Sequence, residues 1–259
     1  MYDKRGDALV PTFWNEKKAN WYLEAVRKSD YSQKVLEVIA PLLDSDFTLL
    51  DVGAGCGALS ISLAKQVKEV TALEPSIYML NCLKRESSRE GVKNIRSIQS
   101  LWEEVALDAH DVILCANVPT LLLDPQFFVQ KAESLANFYI IMIQGVGREN
   151  NKFFFRELFP LIFGKELSEK DDYLSTYSQL HRLNIFANIR IIEYNMDQEF
   201  KDMEEAYDFW KEYLNLAEDG YRDLILEFLW PKLKMMSNGR FLLPVKKKSA
   251  VIWWPAKRH

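Results

Sequence analysis

Two carboxylates and three glycines are spaced for binding chemistry. Asp51 stands two residues before Gly53, and Gly53, Gly55 and Gly57 alternate with Ala54 and Cys56 directly after a short apolar run. Glycine tolerates backbone angles that let peptide groups approach a ligand closely. Glu74 ends the next apolar run, 19 residues after Gly55. An acid at that place accepts two hydrogen bonds from a ribose diol. Gly53, Gly55 and Ala58 also satisfy the dinucleotide pattern G-x-G-x-x-G/A, a weak signal by itself. Asp51 separates the two readings. A carboxylate at the mouth of the loop repels a pyrophosphate and suits a ligand whose far end carries an ammonium group.

S-adenosylmethionine has such an ammonium group, beside a sulfonium. Through Asp51-Val-Gly53-Ala54-Gly55-Cys-Gly57, through Glu74 with Pro75 and Ser76, and through the strand over 111–117, the chain resembles the class I S-adenosylmethionine-dependent methyltransferases. The resemblance is specific over 45–145 and looser beyond. It implies an α/β fold, a Rossmann-like seven-stranded sheet in the order 3-2-1-4-5-7-6, with helices on both faces and additional helical lid elements. The cofactor would lie at the C-terminal ends of strands 1 to 4. The terminal SAVIWWP looks like the last, antiparallel strand of that family, and FWNEKKANWY like the entrance helix of its small-molecule members.

The flanking residues each have a plainer role to weigh. Ser76 is a helix cap in any reading, and Met79 and Leu80 fit a helix core as well as an adenine edge. Leu101 and Trp102 follow the third strand, where the family surrounds the adenine; Trp102 stacks there or starts an amphipathic helix. Asn117-Val118-Pro119-Thr120 follows the fourth strand and faces the transferable methyl in the family's architecture. Amino-directed nucleic-acid methyltransferases carry Asn, Asp or Ser, two prolines and an aromatic there. Val118 and Thr120 depart from that motif, which argues against a nucleic-acid base as acceptor. Phe13, Trp14, Trp21 and Tyr22 are candidates to cover the sulfonium, with Trp21 the better fit to a plain hydrophobic face. His181 reads as packed or surface-lying, His110 as exposed, and Arg148 as a surface residue or an anchor for an acidic acceptor. Cys56 reads as a loop filler. Methyl transfer needs positioning more than a protein base, so no catalytic residue is assigned.

Alternating elements must hold these residues. Helical spacing predicts helices over 15–28, 31–43, 58–67 and 76–90; apolar runs predict strands over 47–52, 69–74, 94–99, 111–117 and 137–144. Further helices are expected over 151–163, 171–184, 203–217 and 221–236, with a strand over 187–195. FLLPV (241–245), a lysine turn and SAVIWWP (249–255) close the chain. Residues 1–44 read as entrance or lid helices and 45–259 as the methyltransferase domain, with helical insertions around 151–185 and 200–240.

Composition bounds the function. The 259 residues carry a formal net charge of −4. Only the short clusters Lys246–Lys248 and Lys257–Arg258 are basic, so no polyanion-binding stripe is expected. Three widely spaced cysteines, Cys56, Cys82 and Cys115, read as reduced thiols rather than a zinc site or disulfide frame. No apolar run is long enough for a membrane span, and the expected location is cytoplasmic. The combined expectation is an S-adenosylmethionine-dependent methyltransferase acting on a small molecule, with no metal. A nicotinamide (NAD) oxidoreductase with a similar loop and a non-catalytic S-adenosylmethionine-binding protein are the alternatives.

Overall fold

The computed structural model describes residues 13–122, 125–147, 154–166 and 173–257. Its first strands are short: β1 (Thr48–Val52) and β2 (Glu69–Leu73), both largely buried, and the edge strand β3 (Ile95–Ile98), which is half-buried, followed by β4 (His110–Ala116) and β5 (Ala136–Val146). Later come β6 (Asn188–Asn195), β7 (Gln198–Phe200), β8 (Lys234–Met235), β9 (Phe241–Leu243) and β10 (Lys246–Pro255). Seven of these form one sheet in the order β3-β2-β1-β4-β5-β10-β6. Because β10 is the seventh of these strands in chain order, this is the expected 3-2-1-4-5-7-6 arrangement. β1 to β5 run parallel, while β10 enters antiparallel between β5 and β6. Side chains alternate across the sheet and feed two cores. Leu49, Val112, Leu114, Ile143 and Val251 face one core; Leu50, Ile113, Met142, Ala250 and Ile252 face the other.

The first core is closed by α1 (Glu16–Lys28), α2 (Tyr31–Ile39) and α9 (Met203–Leu214). Asn15 caps α1 by accepting the Lys18 N–H. Trp21 buries its indole against Phe209 and donates to Glu205 at 3.1 Å, as its place on a plain hydrophobic face requires. Arg27 ties α1 to α4 (Ile77–Arg89) through the buried Glu86 carboxylate, held below the usual range by that guanidinium. Two more helices, α5 (Pro119–Leu122) and α6 (Pro125–Leu135), cover the second core with α8 (Tyr173–Arg182). α7 (Phe155–Phe163) packs on the first core. No helix among the described residues is long and apolar enough to cross a membrane.

Several expectations change. The helix expected over 58–67 shrinks to α3 (Ser60–Leu63), because β2 begins at Glu69 and the chain must turn back first. The helix over 221–236 ends early as α10 (Arg222–Leu229). Pro231, which lacks an amide hydrogen, sits in a tight 3-10 turn that leads into β8. β7, β9 and β8 make a second, small sheet that the sequence reading missed. The lysine turn is instead the start of β10: Lys246 and Lys248 point outward onto Glu193. His110 is buried rather than exposed. Its Nε2 lies 2.8 Å from the Thr71 hydroxyl, and burial lowers its pKa.

Candidate functional site

The C-terminal end of β1 meets a loop that only glycine fits. Gly53 has φ +75°, and a Cβ there would lie 2.2 Å from Val118 Cγ2. The Gly53 and Ala54 N–H groups both donate to the Leu73 carbonyl, locking the loop onto β2. Gly57, at φ +84°, lets the chain pass Ile61 and Leu83. Val118 belongs to the turn after β4, where Asn117 adopts φ +55°, unusual for a residue with a side chain. The two turns therefore touch, and Asn117 and Val118 stand over the glycine loop.

Glu74 and Asp51 flank this loop. One Glu74 oxygen accepts the Gly55 N–H at 3.0 Å and the other the Ser76 N–H at 2.9 Å. Each oxygen keeps a free lone pair for a diol. Burial raises the Glu74 pKa against the pull of those two amides. Asp51 is buried and accepts from Ser60 Oγ at 2.5 Å. Desolvation pushes it up to about 6, opposed by the Ser60 hydrogen bond and reinforced by the charge of Glu74. No lysine or arginine forms an ion pair with either carboxylate among the described residues. Ser60 was not singled out from sequence, since a lone serine in a helix carries no signal.

The remaining expected contacts fall into two groups. Ser76 caps α4 by accepting the Met79 N–H at 3.4 Å, and Pro75 lies half-buried beside it. Met79 is buried with Cys56, Cys82, Ala19 and Leu23, and Trp14 and Tyr22 pack on this cluster. Trp14 thus lies beside the loop, its ring centroid 5.5 Å from that of Tyr22. Burial pushes the Cys56 thiol up to about 12, which leaves it inert. Leu101 is half-buried, whereas Trp102 belongs to the second core: its ring tilts on Phe128 at 5.4 Å with Lys131 Nζ 4.5 Å from the centroid. Its indole N–H has no hydrogen-bond partner among the described residues. Sequence reasoning passed over Ile77 and Tyr78, both exposed on the first turn of α4. His181 lies on the surface, and Arg148 lies outside the described residues.

A second set of residues was not legible as a motif. Asn117 Nδ2 donates to the Tyr31 hydroxyl at 3.1 Å, and Tyr31 tilts on Tyr194 at 4.7 Å between ring centroids. Tyr194 shares a hydrogen bond with Ser249 at 3.1 Å. Burial holds both phenols above their ordinary range, so they stay neutral hydroxyls. These residues come from four separate elements, so no spacing in the sequence announces them.

A doubly wound sheet with its last strand antiparallel, a glycine loop after β1 and an acid after β2 define a Rossmann-like methyltransferase. A family model described as a methyltransferase domain matches residues 43–218, and the chain belongs to that family, within the class I S-adenosylmethionine-dependent methyltransferases. Its cofactor is accordingly S-adenosylmethionine. An uncharacterized protein of Haemophilus influenzae is 25% identical over 257 residues, covering 96% of this chain and 91% of that one. A probable ribosomal RNA small subunit methyltransferase A of Methanosphaera stadtmanae is 31% identical over 81 residues, 31% of this chain and 30% of its own length. Among solved structures, a putative methyltransferase from Bacillus halodurans superposes with a TM-score of 0.54 at 16% identity, covering 88% of this chain and 99% of its own. The YcgJ protein of Bacillus subtilis gives 0.52 at 17% identity, with the same shares covered.

Proposed function

We propose that this methyltransferase acts on a small-molecule acceptor and binds its cofactor between the glycine loop and Glu74. The observation that carries the cofactor geometry is the pair of buried carboxylates, Asp51 and Glu74, without a cationic partner among the described residues. A buried carboxylate is stable only when paired or protonated. A ligand that brings its own positive charge relieves both, whereas a pyrophosphate does the opposite. When bound, S-adenosylmethionine supplies a sulfonium methyl that an acceptor nucleophile takes by in-line displacement.

The chain's own residues then divide the work. Glu74 accepts the ribose hydroxyls with its free lone pairs, and Asp51 faces the ammonium end. Gly53, Ala54, Gly55 and Gly57 give the backbone surface. Pro75, Ser76, Met79 and Leu101 line the adenine side with Ile77, while Trp102 supports it from the core. Asn117, Val118 and Trp14 bound the methyl end and exclude water. Net negative charge and the departure of Asn117-Val118-Pro119-Thr120 from the amino-methylating motif favour a small acceptor over RNA.

Parallel calorimetric titrations with S-adenosylhomocysteine and NAD test this reading. The wild type is expected to bind the first and not the second. Glu74→Gln is expected to weaken S-adenosylhomocysteine by about tenfold or more, since a charged hydrogen bond contributes roughly 1.5–3 kcal/mol. Unchanged affinity in a folded Glu74→Gln variant rejects the ribose assignment. Salt-sensitive retention of RNA at physiological ionic strength rejects the small-molecule acceptor.

A further inference from the structure

At the same end of the sheet, β5, β10 and β6 carry residues that the cofactor reading does not use. β10 is an interior strand, with β5 on one side and β6 on the other. Ser249 lies opposite Gly145 of β5 and Ile192 of β6, and Lys247 lies opposite Tyr194. Residues directly opposite across a strand pair share a face, as do alternate residues along a strand. Lys247, Ser249 and Tyr194 therefore share the face of Asp51 and Tyr31. On that face β5 ends in glycine: Gly145 and Gly147 are exposed, and a Cβ placed on either would meet no atom of the described residues within 4 Å. Lys247 beside them is half-buried, while Tyr194 and Ser249 are buried and hydrogen-bonded to each other.

Lys247 is the unusual member. Its neighbours Lys246 and Lys248 reach Glu193 on the other side, but Lys247 has no hydrogen bond or ion pair among the described residues. Interior strands do not need inward lysines to prevent edge pairing. Desolvation brings its ammonium down to about 8. Among the described residues this amine has no counter-ion. Tyr194, opposite Lys247 in register, leads through Tyr31 and Asn117 to Val118 over the glycine loop.

We propose that Gly145, Gly147, Ser249, Tyr194 and Lys247 form the acceptor subsite, and that Lys247 binds an anionic oxygen group of the methyl acceptor. The proposal rests on the cofactor reading above and names the chemical class of its second substrate. The exposed glycine edge receives the body of the acceptor, and the hydrogen-bonded Tyr194–Ser249 pair forms its buried floor. The acceptor is an organic acid or a phosphate ester.

The test titrates protein saturated with S-adenosylhomocysteine against benzoate, phenyl phosphate and benzyl alcohol, read by ligand-observed NMR. The expected result is at least tenfold tighter binding of one anion than of the alcohol; which anion wins separates carboxylate from phosphate. Lys247→Gln is expected to erase that preference, Lys247→Arg to keep most of it, and the outward Lys246→Gln to keep all of it. A second measurement needs no variant: in the wild type, acetic anhydride at pH 8 should modify Lys247, seen by mass spectrometry, and the preferred anion should protect it. Equal binding of all three probes, or a preference that survives Lys247→Gln, overturns the proposal while leaving the cofactor reading intact. Failure of S-adenosylhomocysteine itself to bind overturns the cofactor reading, and the acceptor subsite with it.

Discussion

Gly53 and Gly145 end neighbouring parts of one sheet edge, yet they are glycines for opposite reasons. Gly53 has a left-handed φ and would drive a Cβ into Val118. It is crowded, and the crowding fastens the turn after β4 onto the loop after β1. Gly145 is exposed, and a Cβ there would meet no described atom within 4 Å. It lies opposite Ser249, two residues from Lys247. The surrounding chemistry differs in the same way. Next to Gly53 lie two buried carboxylates without a cation among the described residues, and near Gly145 lies a lysine without a described carboxylate partner. In the proposed reading, one end takes a cationic ligand held by rigid backbone and the other an anionic one with room to vary. Families of one fold that share a cofactor and differ in substrate need this division.

The comparison breaks first at Gly53. Gly53→Ala forces an alanine into left-handed backbone, which costs roughly 1–3 kcal/mol before the Val118 clash is added. A loss of about 100-fold in S-adenosylhomocysteine affinity with a lower melting temperature is expected. Val118→Ala in the same chain should restore part of the stability, since the two substitutions share one contact. Additive losses would show that the loop does not depend on Val118.

A smaller effect separates the charges. Asp51 titrates at about 6 in the folded protein, above its ordinary value. A raised carboxylate pKa means that the folded state holds a proton the unfolded state has released. Ligand-free stability should therefore decline as pH rises from the ordinary carboxylate range to about 6 and be level above it. The ammonium of S-adenosylhomocysteine prefers the ionised form. Its affinity should fall roughly tenfold from pH 7 to pH 5, by one linked proton. Calorimetry across that range checks the slope, and Asp51→Asn should flatten it.

The third prediction acts at the open end. Gly145→Leu adds a side chain at an exposed position where a Cβ meets no described atom within 4 Å, so the fold should be kept and S-adenosylhomocysteine affinity should stay within about twofold. Binding of the anionic probe should be lost. A fall in cofactor affinity instead would join the two ends into one site.

The smallest effect is expected at Trp102. Its ring packs on Phe128 in the core, so Trp102→Phe should cost about 1–3 kcal/mol in chemical denaturation and leave S-adenosylhomocysteine affinity within twofold. A tenfold affinity loss would show that its indole N–H serves the adenine.

By itself the amino-acid sequence determined the sheet and the glycine loop on which the cofactor reading rests. Each parallel strand is a short apolar run bounded by turn residues, and the glycine loop with Asp51 and Glu74 is a local pattern within 24 residues of chain. Local patterns are readable because backbone geometry and chemistry are specified by neighbours. Where tertiary packing competed with local propensity, the reading failed: α3 was cut short by the return to β2, and the lysines expected in a turn became an interior strand. Only the tertiary structure decided which residues meet in the proposed acceptor subsite. Tyr31, Asn117, Tyr194 and Ser249 converge from α2, the turn after β4, β6 and β10, and the inward direction of Lys247 follows from strand register. A one-residue shift in that register would send Lys247 outward and Lys246 and Lys248 inward. Register is set by how β10 packs between β5 and β6, a property of three distant segments that no one of them contains.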